Sequence, residues 1–201
     1  MERQFSPAAA RNAGPILRVL REALPAQGSV LEVGSGSGQH VVAFAAALPE
    51  LQWLPSDPHP AARRSIAAWS RAARVANVAP PQDLDVVRDP VESWPGPLIG
   101  ILAINLVHIA PWTVTLALFE GAGRALPPDG PLFLYGPFMQ GGRHTSASND
   151  SFDRLLRSYD PAWGVRDLDE VAAAAGEARL RLERSVAMPA NNLSVLFRRG
   201  S

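Results

Sequence analysis

Neither cysteine nor lysine occurs among the 201 residues. The first absence excludes thiol nucleophiles, disulfides and cysteine-bound zinc. The second excludes Schiff-base chemistry and a phosphate-loop lysine, because all 19 basic residues are arginine. Net charge is also missing: 19 basic residues face 19 acids, so nothing global draws the chain to nucleic acid or an anionic membrane. A small-molecule substrate is therefore expected. No apolar run approaches membrane-spanning length, and Met1-Glu2-Arg3-Gln4 lacks a charged-then-apolar leader. The expectation is a soluble, cytoplasmic protein with no membrane or nucleic-acid partner, monomeric or homodimeric. The four histidines (His40, His59, His108, His144) fall in separate segments without metal-ligand spacing, so no metal is expected.

What is present is organised around one stretch, Val30-Leu31-Glu32-Val33-Gly34-Ser35-Gly36-Ser37-Gly38-Gln39-His40. Apolar, β-branched residues open it as a buried strand, three alternate glycines turn it, and a helical run follows from Val41 to Leu48. A strand, glycine turn and helix form the first unit of a sheet that takes a nucleotide-like ligand at its carboxyl edge. A dinucleotide fingerprint would need glycine at position 39, where Gln39 stands. An acid at the strand end, Glu32, opposes a doubly negative pyrophosphate and suits a ligand carrying an ammonium and a sulfonium. The run Glu32-x-Gly34-x-Gly36-x-Gly38 resembles motif I of the class I S-adenosylmethionine (SAM) methyltransferases; the competing reading is an ordinary glycine turn.

Upstream, residues 6–24 read as an amphipathic helix with Ile16, Leu17, Val19 and Leu20 inward, and Pro15 predicts a kink or two short helices. Asn12, just before that proline, is either on a solvated face or in cofactor contact. Downstream, residues 51–58 form a short strand ending at Asp57. This acid follows the glycine turn at the offset from which a carboxylate accepts from both ribose hydroxyls, or else it caps the arginine-rich helix over 61–75. Residues 80–87 predict a third strand and 98–104 a central one, nearly all apolar. The loop Asn105-Leu106-Val107-His108, a helix to Ala125 and a strand through Tyr135-Gly136-Pro137-Phe138 come next. The Gly/Ser/Thr-rich residues 140–148 predict a loop suited to be a lid, followed by helices over 148–159 and 168–175 and strands over 179–188 and 193–198.

Ser29 to His40, Pro55-Ser56-Asp57, Asn105 to Ile109, Tyr135 to Phe138, Ser148-Asn149-Asp150, Trp163 to Asp167 and Met188 to Asn192 together resemble one group. It is an uncharacterised methyltransferase-like family, long filed as a domain of unknown function, within the class I SAM-dependent methyltransferases. The resemblance implies an α/β, Rossmann-like three-layer sandwich whose seven-stranded, mostly parallel sheet closes with an antiparallel strand. It implies one domain over 1–201, with 1–25 a helical segment over the cofactor edge. SAM is the implied cofactor, held by Asn12, Glu32, Gly34, Gly36, Gly38, Asp57, Asp85 with Val86, and Asn105, the last of which binds either cofactor or acceptor. For the adenine, Asp83 and Asp89 compete with Asp85.

Methyl transfer from a sulfonium is an in-line displacement in which alignment and desolvation do most of the catalysis, and a base is needed only if the acceptor must lose a proton. His108, just beyond the central strand, and Tyr135 are the candidate catalytic groups; the competing roles are packing and helix capping for His108 and core for Tyr135. Asn149, Arg166 and Asn191 are candidate acceptor contacts, Arg166 suiting a carboxylate, against ordinary cap and turn chemistry. A SAM-dependent methyltransferase acting on a small molecule is the leading expectation. The alternative is a non-catalytic SAM-binding module working through a protein partner. An NAD-linked oxidoreductase is disfavoured by Gln39 and Glu32.

Overall fold

A computed structural model describes residues 3–201; Met1 and Glu2, which open the expected N-terminal segment, lie outside the described residues. The chain divides into two compact units, 1–102 and 103–201.

The first unit begins with helix α1 (Pro7–Ala23), whose N-cap Ser6 accepts from the Ala9 N–H at 3.2 Å. It continues as one helix through Pro15, contrary to the expected division into two short helices. The residue before the proline is Gly14, which has no Cβ for the pyrrolidine ring to meet. Burial of Ile16, Val19, Leu20 and Ala23 just beyond keeps the second half helical. Strand β1 (Gly28–Val33), helix α2 (Gln39–Ala47), strand β2 (Leu51–Ser56) and helix α3 (Pro60–Ala73) follow. β1 and β2 pair in parallel, from Gly28 opposite Leu51 to Val33 opposite Ser56. Val30, Leu31 and Trp53 are fully buried, as strands covered on both faces require.

The expected third strand over 80–87 does not form. Two isolated parallel bridges, Trp53 to Val78 and Ser56 to Gln82, stand in its place. Pro80 and Pro81 carry no N–H to donate, so a ladder cannot continue through them. The main sheet accordingly has six strands instead of the seven expected. Strand β3 (Gly100–Ile104), buried at every residue, crosses the boundary between the units.

In the second unit, helix α4 (Trp112–Ala125) leads to strand β4 (Pro131–Gly136), buried throughout. Strands β5 (Phe138–Gln140) and β6 (Arg143–His144) form a hairpin, followed by helix α5 (Ala147–Tyr159). The expected loop over 140–148 is thus mostly structured: the Gly142 N–H donates to the Asp167 carboxylate at 2.6 Å, and the Ser146 hydroxyl accepts from Asn149 N–H. Strand β7 (Arg166–Asp167) pairs with β5, and helix α6 (Leu168–Glu177) starts on an Asp167 cap. Strands β8 (Leu180–Met188) and β9 (Asn192–Arg199) end the chain. β9 is antiparallel to both β4 and β8, the closing antiparallel strand the sequence predicts. Leu193 of β9 lies opposite both Gly136 and Ala187, so the turn after β8 sits on the edge where β4 ends.

Candidate cofactor and acceptor sites

In the first unit the glycine turn leaves β1 through Gly34, Gly36 and Gly38, with φ of 68°, 55° and 87°. Two of these have separable reasons. A Cβ at Gly38 would lie 2.6 Å from the Ile66 Cα, so its absence lets α2 approach α3. A Cβ at Gly36 would meet nothing within 4 Å, so the bare main chain there borders open space. Paired serines fix the turn. The Ser35 N–H donates to the Ser56 carbonyl at 2.8 Å, and the Ser56 hydroxyl to the Glu32 carbonyl at 2.9 Å.

Two carboxylates end the two strands. Glu32 is 1% exposed, and its Oε2 has no hydrogen-bond partner among the described residues. Burial pushes its pKa up to about 7, the Ser35 hydroxyl opposing and the Asp57 charge reinforcing the rise. Asp57, 6% exposed, accepts from the Gly36 N–H at 3.0 Å and from the His59 N–H at 2.9 Å. It therefore ties the glycine turn to the segment leading into α3, whose N-cap His59 makes no side-chain cap hydrogen bond.

The other first-unit candidates are placed as follows. Asn12 Oδ1 lies 2.7 Å from His40 Nε2, tying α1 to the first turn of α2. Burial holds the His40 pKa down to about 4, so Asn12 faces a neutral imidazole. Gln39, where a dinucleotide fingerprint would have glycine, accepts the Ser6 N–H at 2.5 Å. Asp85 accepts from the N–H of Val87 at 3.0 Å, inside its own turn, while Val86 is buried beside it. Asp83 and Asp89 are both bound by Arg88.

The second unit gathers the remaining candidates. Asn105, in the left-handed region at φ 59°, donates its N–H to the Tyr135 carbonyl at 2.7 Å. His108 is 1% exposed and Tyr135 2%. Neither ring nitrogen of His108 has a hydrogen-bond partner among the described residues. Its ring meets Phe138 edge-on at 5.2 Å, and a Cβ on Gly136 would fall 1.8 Å from its Nε2. Burial, with the Arg166 charge adding to it and the nearby Tyr135 backbone opposing, pushes the His108 pKa down to about 3. Arg166 is engaged by backbone: Nε donates to the Val107 carbonyl at 3.1 Å, and Nη2 to those of Ala110 and Ala162 at 2.8 and 2.7 Å. Its guanidinium also lies over the Trp112 ring. Asn149 is buried and donates to the Thr145 hydroxyl at 3.0 Å and the Asn191 carbonyl at 2.9 Å. Asn191 stands at φ 57° and donates to the Ser148 hydroxyl at 3.2 Å. The structure thus joins Asn149 to Asn191, and Arg166 to the backbone of the His108 loop.

The sequence reading missed the Ser35–Ser56 stitch, the Asn12–His40 pair, the Gln39 clamp and the fit of His108 against Gly136. Each joins residues far apart in the chain and has no spacing signature.

A family model described as "Protein of unknown function (DUF938)" matches residues 3–199. The chain belongs to that family. Its α/β fold matches class I methyltransferases. The SAM-dependent methyltransferase SibL, in its apo form, superposes with a TM-score of 0.79 at 20% identity, over 96% of this chain and 56% of that one. Mitomycin 7-O-methyltransferase MmcR gives 0.80 at 20% identity, over 96% and 54%. Human N-acetylserotonin methyltransferase, in complex with SAM, gives 0.74 at 14% identity, over 94% and 52%. The chain spans little more than half the length of these structures. Among the described residues, no helix is long and apolar enough to cross a membrane.

Proposed function

We propose that the protein is a SAM-dependent methyltransferase acting on a small molecule. The observation that carries this is Glu32, a buried carboxylate with a partnerless oxygen, one strand-end away from a glycine turn that borders open space. A buried carboxylate alone is costly, and a cation nearby relieves that cost. The residues fit SAM, with its ammonium and sulfonium, better than they fit a pyrophosphate. Glu32 and the turn Gly34–Gly38 would hold the charged end, Asp57 the ribose, and Asp85 with Val86 the adenine. Asn12 would act from α1, and Asn105 as a further cofactor contact. When bound, SAM supplies a methyl group on a good leaving group, so this chain's task is to orient the partners and exclude water. On this reading His108 and Tyr135 shape the reacting end, and Asn149, Asn191 and Arg166 belong to the acceptor side.

The sealed ring of His108 favours a second reading, SAM binding without turnover in the service of a protein partner. A buried base with a pKa near 3 is poorly suited to take an acceptor's proton. Calorimetry with SAM and S-adenosylhomocysteine tests the common premise, and absence of binding at millimolar ligand rejects both readings. A methyl-acceptor screen separates them: turnover lost on His108→Ala supports the enzyme.

A further inference from the structure

Arg63 touches both segments that carry the candidate adenosine contacts. From α3, its mostly buried guanidinium donates through Nη1 to the carbonyls of Asp57 and Pro58, at 2.9 and 2.8 Å. Through Nη2 it pairs with the Asp83 carboxylate at 2.9 Å. The pairing continues outward: Arg88 Nη2 binds Asp83 at 3.1 Å and Asp89 at 2.7 Å, and Asp89 Oδ2 accepts the Asp85 N–H at 2.9 Å. A planar fork is needed for this, because one arm reaches two carbonyls while the other reaches a carboxylate.

The missing third strand explains why such a brace is required. Where a full ladder would fix the 78–87 segment against β2, Pro80 and Pro81 leave two bridges and a few backbone bonds, among them Asp57 N–H to Gln82 carbonyl at 3.1 Å. The backbone bonds to β2 and Asp57 end at Gln82, and beyond it the Arg63–Asp83 pair adds a side-chain tie between the Asp57 loop and the segment leading to the Asp85 turn. We propose that Arg63 is a positioning residue for adenosine recognition, holding the ribose acid Asp57 in register with the Asp85–Val86 turn. This rests on the SAM reading above.

The test is calorimetry with two ligands, S-adenosylhomocysteine and 5′-methylthioadenosine, the second lacking the amino-acid end. Arg63→Ala is expected to weaken both by the same factor, about tenfold, as loss of charge-assisted bonds that place the adenosine contacts would. Arg63→Lys, whose single ammonium can serve the carbonyls or Asp83 but not both, should recover part of that affinity. Asp83→Asn should weaken binding in the wild-type background and add nothing on top of Arg63→Ala. A general loss of structure would lower the melting temperature without this non-additive pattern in affinity. Should Arg63→Ala fail to fold, Arg63→Lys and Asp83→Asn carry the comparison. Unchanged affinity in the variants, or a loss confined to S-adenosylhomocysteine, overturns the brace while leaving the SAM reading in place. Wild-type protein that binds neither ligand overturns the SAM reading first, and the brace with it.

Discussion

Replacing Glu32 with glutamine should change how stability depends on pH. The side chain is 1% exposed, and its pKa stands near 7 in place of 4.5. Between those values the folded protein keeps the proton that the unfolded chain has released, so folding stability falls as pH rises through the window. Below it the carboxyl is neutral in both states and costs nothing; above it the full penalty applies, about 3 kcal/mol for a displacement of this size. Two buried histidines slope the other way. His40, near 4, and His108, near 3, stay neutral in the fold while the unfolded chain protonates them below 6.5, so their contribution is lost as pH falls. A wild-type profile alone therefore mixes opposing slopes, whereas the difference between Glu32→Gln and wild type isolates one. Urea unfolding at about pH 5 and about pH 8 should show the variant gaining on wild type by about 2.5 kcal/mol across that interval, part of the penalty being present already at the lower pH. Parallel profiles would refute the assignment of a protonated Glu32. If the ligand is a cation held by this carboxylate, binding at about pH 6 should also release protons, readable as a buffer-dependent binding enthalpy.

Two further substitutions probe the second unit. Gly136→Ala would place a methyl 1.8 Å from His108 Nε2, so it should destabilise by about 1–3 kcal/mol or more, partly recovered when His108 is also made alanine. Chemical denaturation checks this, and a neutral single variant would show that the ring is not packed on that backbone. Arg166→Lys loses a fork that serves three carbonyls on two segments, and should cost about 1.5–3 kcal/mol in urea unfolding; a cost under about 0.5 kcal/mol would refute the anchoring role.

Glu32 and Asp57 were legible as candidates because each terminates a strand at a fixed offset from the glycine turn, and offset is a property of the chain. The two prolines were visible as well, yet the seven-strand expectation set them aside in favour of the whole pattern. Pro15 shows the opposite error: the local rule predicts a break, and burial beyond it, with Gly14 in front, keeps the helix whole. Arg166 illustrates a third kind of gap. A lone arginine in a polar loop reads as an anion contact, and only the fold shows carbonyls already at its fork.

By itself the sequence determined the strand–glycine–helix unit and the two strands that close the chain. These depend on residues near one another or on a regular period. Tertiary structure alone decided that Glu32 is buried with its pKa raised, that the His108 ring is buried against Phe138 and Gly136, and that Arg63 of α3 reaches both the Asp57 carbonyl and Asp83. Burial and long-range hydrogen bonds are sums over neighbours drawn from distant parts of the chain, and no local pattern encodes such a sum.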